Sequence, residues 1–110
     1  MIKISPSVMT ADFCHMGDTL RMLEKSGADW IHCDIMDGVF VPNLSFGMPM
    51  VKAMNKVTNL PLDVHLMMHD PSPYIDEFID CGADMISLHV ESPGCTHMQR
   101  LLRRIKDRGA

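Results

Sequence analysis

Four times along this chain a short apolar-rich run gives way to a helical pattern, and that alternation narrows the possible folds more than any other feature. The runs are Lys3–Met9, Trp30–Met36, Leu62–Met68 and Met85–Glu91, each the length of an ordinary strand. After the first, Thr10 can cap a helix whose apolar positions Phe13, Met16, Leu20 and Leu23 recur at helical spacing up to Gly27. After the second, the loop Asp37-Gly38-Val39-Phe40-Val41-Pro42-Asn43 leads to a weaker helix over Pro49–Lys56, with proline suited to a first turn. Asp70-Pro71-Ser72-Pro73 opens the third helix, through Tyr74, Phe78 and Ile79 to Gly82. Ser92-Pro93-Gly94 precedes the fourth, Thr96–Asp107, which stops at Gly109. Strands alternating with helices require parallel pairing through right-handed crossovers, hence an α/β protein.

An internal echo sharpens the pattern. Ser26-Gly27-Ala28-Asp29 precedes the second strand, Cys81-Gly82-Ala83-Asp84 precedes the fourth, and the chain closes on Arg108-Gly109-Ala110. The same helix-stop signal predicts a fifth strand next, so residues 1–110 read as a single partial domain.

With 46% hydrophobic and 22% charged residues the composition is that of a globular protein, and a net charge of −4 offers nothing to nucleic acid or an anionic membrane. Arg100, Arg103, Arg104, Lys106 and Arg108 gather in the last helix, where cations suit the C-terminal dipole and a solvated face explains them. No neighbouring aromatics make them a nucleic-acid surface. No apolar run approaches the ~20 residues of a membrane helix, and the N-terminus lacks a signal-peptide core. The four cysteines, Cys14, Cys33, Cys81 and Cys95, have no paired spacing and are expected to be free thiols in a reducing cytoplasm. Most of the 12 methionines are expected to fill the core.

Alternation along each strand separates two phases. One is apolar throughout: Ile4 and Val8; Ile31, Cys33 and Ile35; Leu62, Val64 and Leu66; Ile86, Leu88 and Val90. It should pack under the helices. The other reads Ser5, Ser7, Met9; His32, Asp34, Met36; Asp63, His65, Met67; Ser87, His89, Glu91. A solvent-facing sheet gives the same alternation, but histidines and acids in four strands in register favour a site at the carboxyl ends of the strands. His32 and Asp34 point the same way, and His65 lies at a corresponding height on the next strand. Two imidazoles and a carboxylate suit Zn²⁺, Fe²⁺, Mn²⁺ or Co²⁺ and leave coordination positions open, although His-x-Asp alone is a weak motif.

At these residues the chain resembles the ribulose-phosphate 3-epimerase family. The similar stretches are Ile4-Ser-Pro-Ser-Val8, His32-Cys-Asp-Ile-Met-Asp-Gly-Val-Phe-Val-Pro-Asn43, Leu62-Asp-Val-His-Leu-Met67, Gly82-Ala-Asp84 and Leu88-His-Val-Glu91. The resemblance implies a parallel (β/α)4 half of a (β/α)8 TIM barrel of the ribulose-phosphate-binding type. It implies interconversion of D-ribulose 5-phosphate and D-xylulose 5-phosphate through an enediolate at C3, stabilised by one divalent ion. On this chain Asp34 would be an acid/base residue and metal ligand, with His32 and His65 the other ligands. Ser7 would hydrogen-bond the substrate; His65 would also lie beside it, and Met36 and Met67 would exclude water around the enediolate, although ordinary core methionine explains the last two nearly as well. Asp37 is expected to be a turn residue, and Asp63 and His89 to support or pack against ligands. His15, His69 and His97 carry no signal.

The second catalytic aspartate, which is the fourth ligand, and the phosphate-holding glycine loops of the family lie on later strands. The chain alone is therefore expected to be essentially inactive. Other readings are a non-catalytic half-barrel that self-associates into a homo-oligomer, and a related sugar-phosphate epimerase such as one acting on allulose 6-phosphate.

Overall fold

The computed structural model describes residues 1–110. Three of the four expected strands form one parallel sheet in the order β1-β2-β3, with β1 at Ile31–Met36, β2 at Leu62–Met67 and β3 at Ala83–Leu88. Helix α1 (Met16–Lys25) precedes β1, α2 (Met48–Asn55) joins β1 to β2, α3 (Ile75–Asp80) joins β2 to β3, and α4 (Met98–Asp107) follows. All four pack on one face. Their Leu20, Val51, Phe78 and Ile105 meet Ile31, Cys33, Ile35, Leu62, Val64 and Leu66 in a continuous core of 17 buried residues.

The first expected strand departs from the pattern. It runs parallel beside β1, donating from Val8 N to the His32 carbonyl (3.1 Å) and accepting from His32 N at the Pro6 carbonyl (2.9 Å). Only Ser7 pairs as a bridge, because the next rung would need an N–H that Pro6 lacks. Val8 is buried as expected, but Ile4 is 57% exposed, since no helix covers that end of the edge. The fourth run is shifted too. β3 begins at Ala83, and Asp84 is an extra residue in the ladder, where Leu62 pairs Ala83 and Asp63 pairs Met85. The Asp84 carboxylate accepts the Leu62 N–H at 2.8 Å. Val90 lies beyond the end of the strand and is 75% exposed, so the apolar phase stops at Leu88.

Helix starts also differ from expectation while the stops agree. Asp12, not Thr10, is the capping residue, and it caps the 3-10 turn Phe13–His15 that leads into α1, accepting Cys14 N at 3.0 Å, while α1 itself starts after His15 without a side-chain cap. A similar turn, Pro93–Cys95, precedes α4. Gly27 and Gly82, at φ +85° and +112°, take the left-handed conformation that ends a helix and is costly with a Cβ. The basic face of α4 is partly committed. Arg104 Nε donates to Asp76 at 2.9 Å and Arg108 Nη1 to the same carboxylate at 3.0 Å, with a further pair from Arg108 to Asp80. All four cysteines are unpaired, and burial, with Asp63 and Asp34 nearby, pushes the Cys33 thiol up to about 12. No helix is long and apolar enough to cross a membrane.

Candidate metal centre

Register builds the centre. Pairing of β1 with β2 sets His32 opposite Asp63, Asp34 opposite His65 and Met36 opposite Met67. Strand alternation turns all six away from the helix-covered face. Imidazole and carboxylate therefore alternate both along and across the strands. His32 Nε2 lies 3.2 Å from Asp34 Oδ1, and His65 Nδ1 lies 3.4 Å from the same oxygen. One ligand atom from each of the three falls within a 4.8 Å span. Their side chains are 15–24% exposed, sheltered but reachable. Two nitrogens and an anionic oxygen converging on one point fit a divalent ion of the Zn²⁺, Fe²⁺, Mn²⁺ or Co²⁺ type and leave positions for substrate.

The surroundings hold each of the three side chains in place. Asp63 Oδ2 faces His32 Nδ1 at 2.8 Å and accepts from the Ser5 hydroxyl at 3.1 Å. A carboxylate there keeps the hydrogen on Nδ1 and leaves His32 Nε2 bare toward the centre. The Ser7 hydroxyl donates to Asp34 Oδ2, leaving Oδ1 between the two imidazoles. His65 Nε2 meets His89 Nε2 at 2.6 Å, and His89 packs on the Phe40 ring at 5.1 Å. Burial, reinforced by the neighbouring His89 and His32, holds the His65 imidazole below its ordinary pKa, which favours the neutral form that ligation requires.

Asp37, expected in the turn itself, stands at its mouth, where it bridges Leu44 antiparallel, and it does more. Its Oδ1 accepts from Val39 and Phe40 N–H groups (2.9 and 2.8 Å), while Oδ2 accepts from His69 N (2.7 Å), tying the loops after β1 and β2 together. Met67 is buried, and Met36 lines an apolar cavity of about 280 Å³ with Leu44, Phe46, Met48 and Met68. Sequence reasoning missed Ser45, whose hydroxyl bonds the Asp34 carbonyl and accepts Met36 N at 3.0 Å. No periodic signal could have marked it, because a loop brings it back to the strand.

The sequence pattern of the Ribulose-phosphate 3 epimerase family matches residues 3–110. The chain belongs to the ribulose-phosphate 3-epimerase family. It is 49% identical over 109 residues to the ribulose-phosphate 3-epimerase of Bacillus subtilis, covering 99% of this chain and 49% of that protein. The chloroplastic ribulose-5-phosphate-3-epimerase of Arabidopsis thaliana is 45% identical, over 99% of this chain and 39% of its own length. The Synechocystis ribulose-phosphate 3-epimerase is 44% identical, over 98% and 47%. The chain thus spans about half the length of the curated relatives it matches. Its parallel sheet and outer helices are part of the β/α barrel of this family, and its His-Asp-His group could hold a metal ion.

Proposed function

We propose that this chain carries the N-terminal half of the machinery of a ribulose-phosphate 3-epimerase, an isomerase interconverting D-ribulose 5-phosphate and D-xylulose 5-phosphate. The observation that carries this reading is one carboxylate oxygen, Asp34 Oδ1, facing two imidazole nitrogens inside a family-matched sheet. The substrate C3–H is acidic only because a ketone adjoins it. Asp34 takes that proton on one face, and its position is held by the Ser7 hydroxyl. When bound by His32, Asp34 and His65, a divalent ion supplies positive charge against the negative charge that develops on the substrate oxygens. Ser7, exposed beside Asp34, would also hydrogen-bond the substrate, with His65 alongside, and Met36 and Met67 would keep water from the developing anion.

Inversion needs a second acid on the opposite face. Asp63, the other aspartate on this face of β1 and β2, is engaged by His32 and Ser5, so it does not serve. We therefore read the chain as one half of a (β/α)8 barrel, essentially inactive by itself and completed by a half that brings a second carboxylate and a phosphate grip. Its partner is a small sugar phosphate, not nucleic acid, and four free thiols suit the cytoplasm. β3 pairs on one side only, with Ile2 and Ile4 exposed at the other border of the sheet. Those open borders support self-association when the second half is missing.

A coupled assay for xylulose 5-phosphate formation with added Mn²⁺ or Zn²⁺ tests the reading. The chain alone should show no turnover. Joined to the unmatched C-terminal half of the B. subtilis relative, it should turn over, and Asp34→Asn should abolish that activity. Turnover by the chain alone near an intact enzyme's rate, or an active Asp34→Asn chimera, refutes it.

A further inference from the structure

We infer that His89 is a positioning residue that decides which ring nitrogen of His65 is left bare at the metal centre, an assignment that rests on the metal-site reading above. The two Nε2 atoms approach to 2.6 Å, the ring centroids lie 4.8 Å apart, and the planes are inclined by only 16°. The centroid separation is about what the N···N distance plus two ring radii requires. The rings therefore meet nearly edge on and in plane, the geometry of an N–H···N hydrogen bond. Such a bond needs one nitrogen with a hydrogen and one without.

The rest of the geometry selects the direction. His65 Nδ1 faces Asp34 Oδ1 at 3.4 Å, the side on which His32 presents its own Nε2 at 3.2 Å. Ligation there requires a bare Nδ1, so with a metal held the neutral ring carries its hydrogen on Nε2 and donates to His89, whereas without one the Asp34 carboxylate competes for that hydrogen at Nδ1. His89 then accepts on Nε2 and carries its hydrogen on Nδ1, which faces the Glu91 carboxylate at 3.6 Å. Phe40, 5.1 Å from the His89 ring, fixes the angle at which it meets His65. The two ligand histidines are thus oriented by different acceptors. Asp63 fixes His32 with Nε2 inward, while His89 fixes His65 with Nδ1 inward. Two inward nitrogens of opposite kind let rings on neighbouring strands converge although their backbones enter at different heights.

The test compares His89→Phe, which keeps a ring against Phe40 but offers no lone pair, with His89→Gln, whose amide oxygen can accept from the same direction. Two-bond ¹H–¹⁵N spectra of the metal-free chain at about pH 8, above the ordinary histidine range, read the His65 tautomer directly. Zn²⁺ titration supplies the second readout. In the metal-free wild-type chain the Nε2–H form that His89 favours should be populated beside the Nδ1–H form that Asp34 favours. His89→Phe should shift the metal-free ring toward the Nδ1–H form and weaken Zn²⁺ binding by about 10–100-fold, the usual loss when a ligand's supporting bond is removed. His89→Gln should restore both. An unchanged tautomer population in His89→Phe, a wild-type ring wholly in the Nδ1–H form, or a glutamine variant as impaired as the phenylalanine variant overturns the inference. If the wild-type chain binds no Zn²⁺, the metal-site reading fails, and the tautomer measurement alone still decides the role of His89.

Discussion

Asp63 offers the most direct measurement of how far Zn²⁺ binding at the candidate centre would depend on a residue outside the His-Asp-His group. Its Oδ2 is shared by His32 Nδ1 at 2.8 Å and the Ser5 hydroxyl at 3.1 Å, and its side chain is only 16% exposed. A hydrogen bond to a charged acceptor contributes about 1.5–3 kcal/mol. The neutral imidazole has no strong preference of its own between tautomers, so this bond sets the population with Nε2 bare. Losing it in Asp63→Ala about halves that competent fraction and, more heavily, leaves the ring unoriented and less basic as a ligand. The expected loss is about 10–100-fold, or roughly 1.4–2.8 kcal/mol, in the same range as the bond itself. Asp63→Asn keeps an acceptor without the charge and should fall between. Ser5→Ala removes one neutral bond while leaving the carboxylate, so its loss should stay under about tenfold. Calorimetric titration of each chain with Zn²⁺ gives Kd directly, with circular dichroism confirming the fold. Equal Kd for folded Asp63→Ala and wild type refutes the reasoning.

Three further outcomes follow from the packing and the charges. Phe78 is 1% exposed beneath the sheet, and Phe78→Ala should cost about 3–5 kcal/mol in urea unfolding; a loss below about 1 kcal/mol contradicts the core described above. A Cβ at Gly94 would lie 2.2 Å from Asp70 Oδ1 and 2.6 Å from Asp70 Cα, whereas at Gly47 it meets nothing within 4 Å. Gly94→Ala should therefore destabilise by about 1–3 kcal/mol and Gly47→Ala by less than about 0.5 kcal/mol, with equal melting shifts the refuting result. For Asp37, burial opposes ionisation, but N–H donors from His69, Val39 and Phe40 overcome it and hold the pKa below 3.8; the Arg104 guanidinium, with Arg108, does the same for Asp76. Between the folded and unfolded values the unfolded chain binds more protons, so this stability is full above the ordinary carboxylate value and is lost as pH falls through and below it. Acid titration of Asp37→Asn should show a shallower loss of stability over that window than the wild type, and an identical slope would defeat the assignment.

The legible parts of the fold were those written in a period. Alternation identified Ile31, Cys33, Ile35, Leu62, Val64 and Leu66 as the helix-covered face, and all six are buried. Glycine punctuation located the stops at Gly27 and Gly82, because a positive φ is a local demand that a single residue must meet. Element starts were less legible. Asp12 and Thr10 are both competent caps, and only the 3-10 turn at Phe13–His15 decides between them. The border segment failed for a different reason: period-2 patterning reports which face a residue takes, not whether each rung has a donor, and Pro6 removes one. The extra residue Asp84 is likewise invisible to alternation, since a bulge preserves composition while shifting register.

The metal centre follows the same division. His32, Asp34 and His65 could be grouped because strand phase and chain order fix face and height together, and the parallel register of β1 on β2 then leaves little freedom. Which nitrogen each histidine turns inward was not legible, since that depends on a second residue within hydrogen-bond reach, Asp63 in one case and His89 in the other. Both partners occupy the same polar phase as the ligands. A pattern of alternating imidazoles and carboxylates therefore carries two kinds of information at once, the candidate ligands and the groups that would aim them. Only distances separate the two: Asp34 Oδ1 lies within 3.4 Å of the His32 and His65 imidazoles, while Asp63 is engaged by His32 Nδ1, the nitrogen turned away from Asp34.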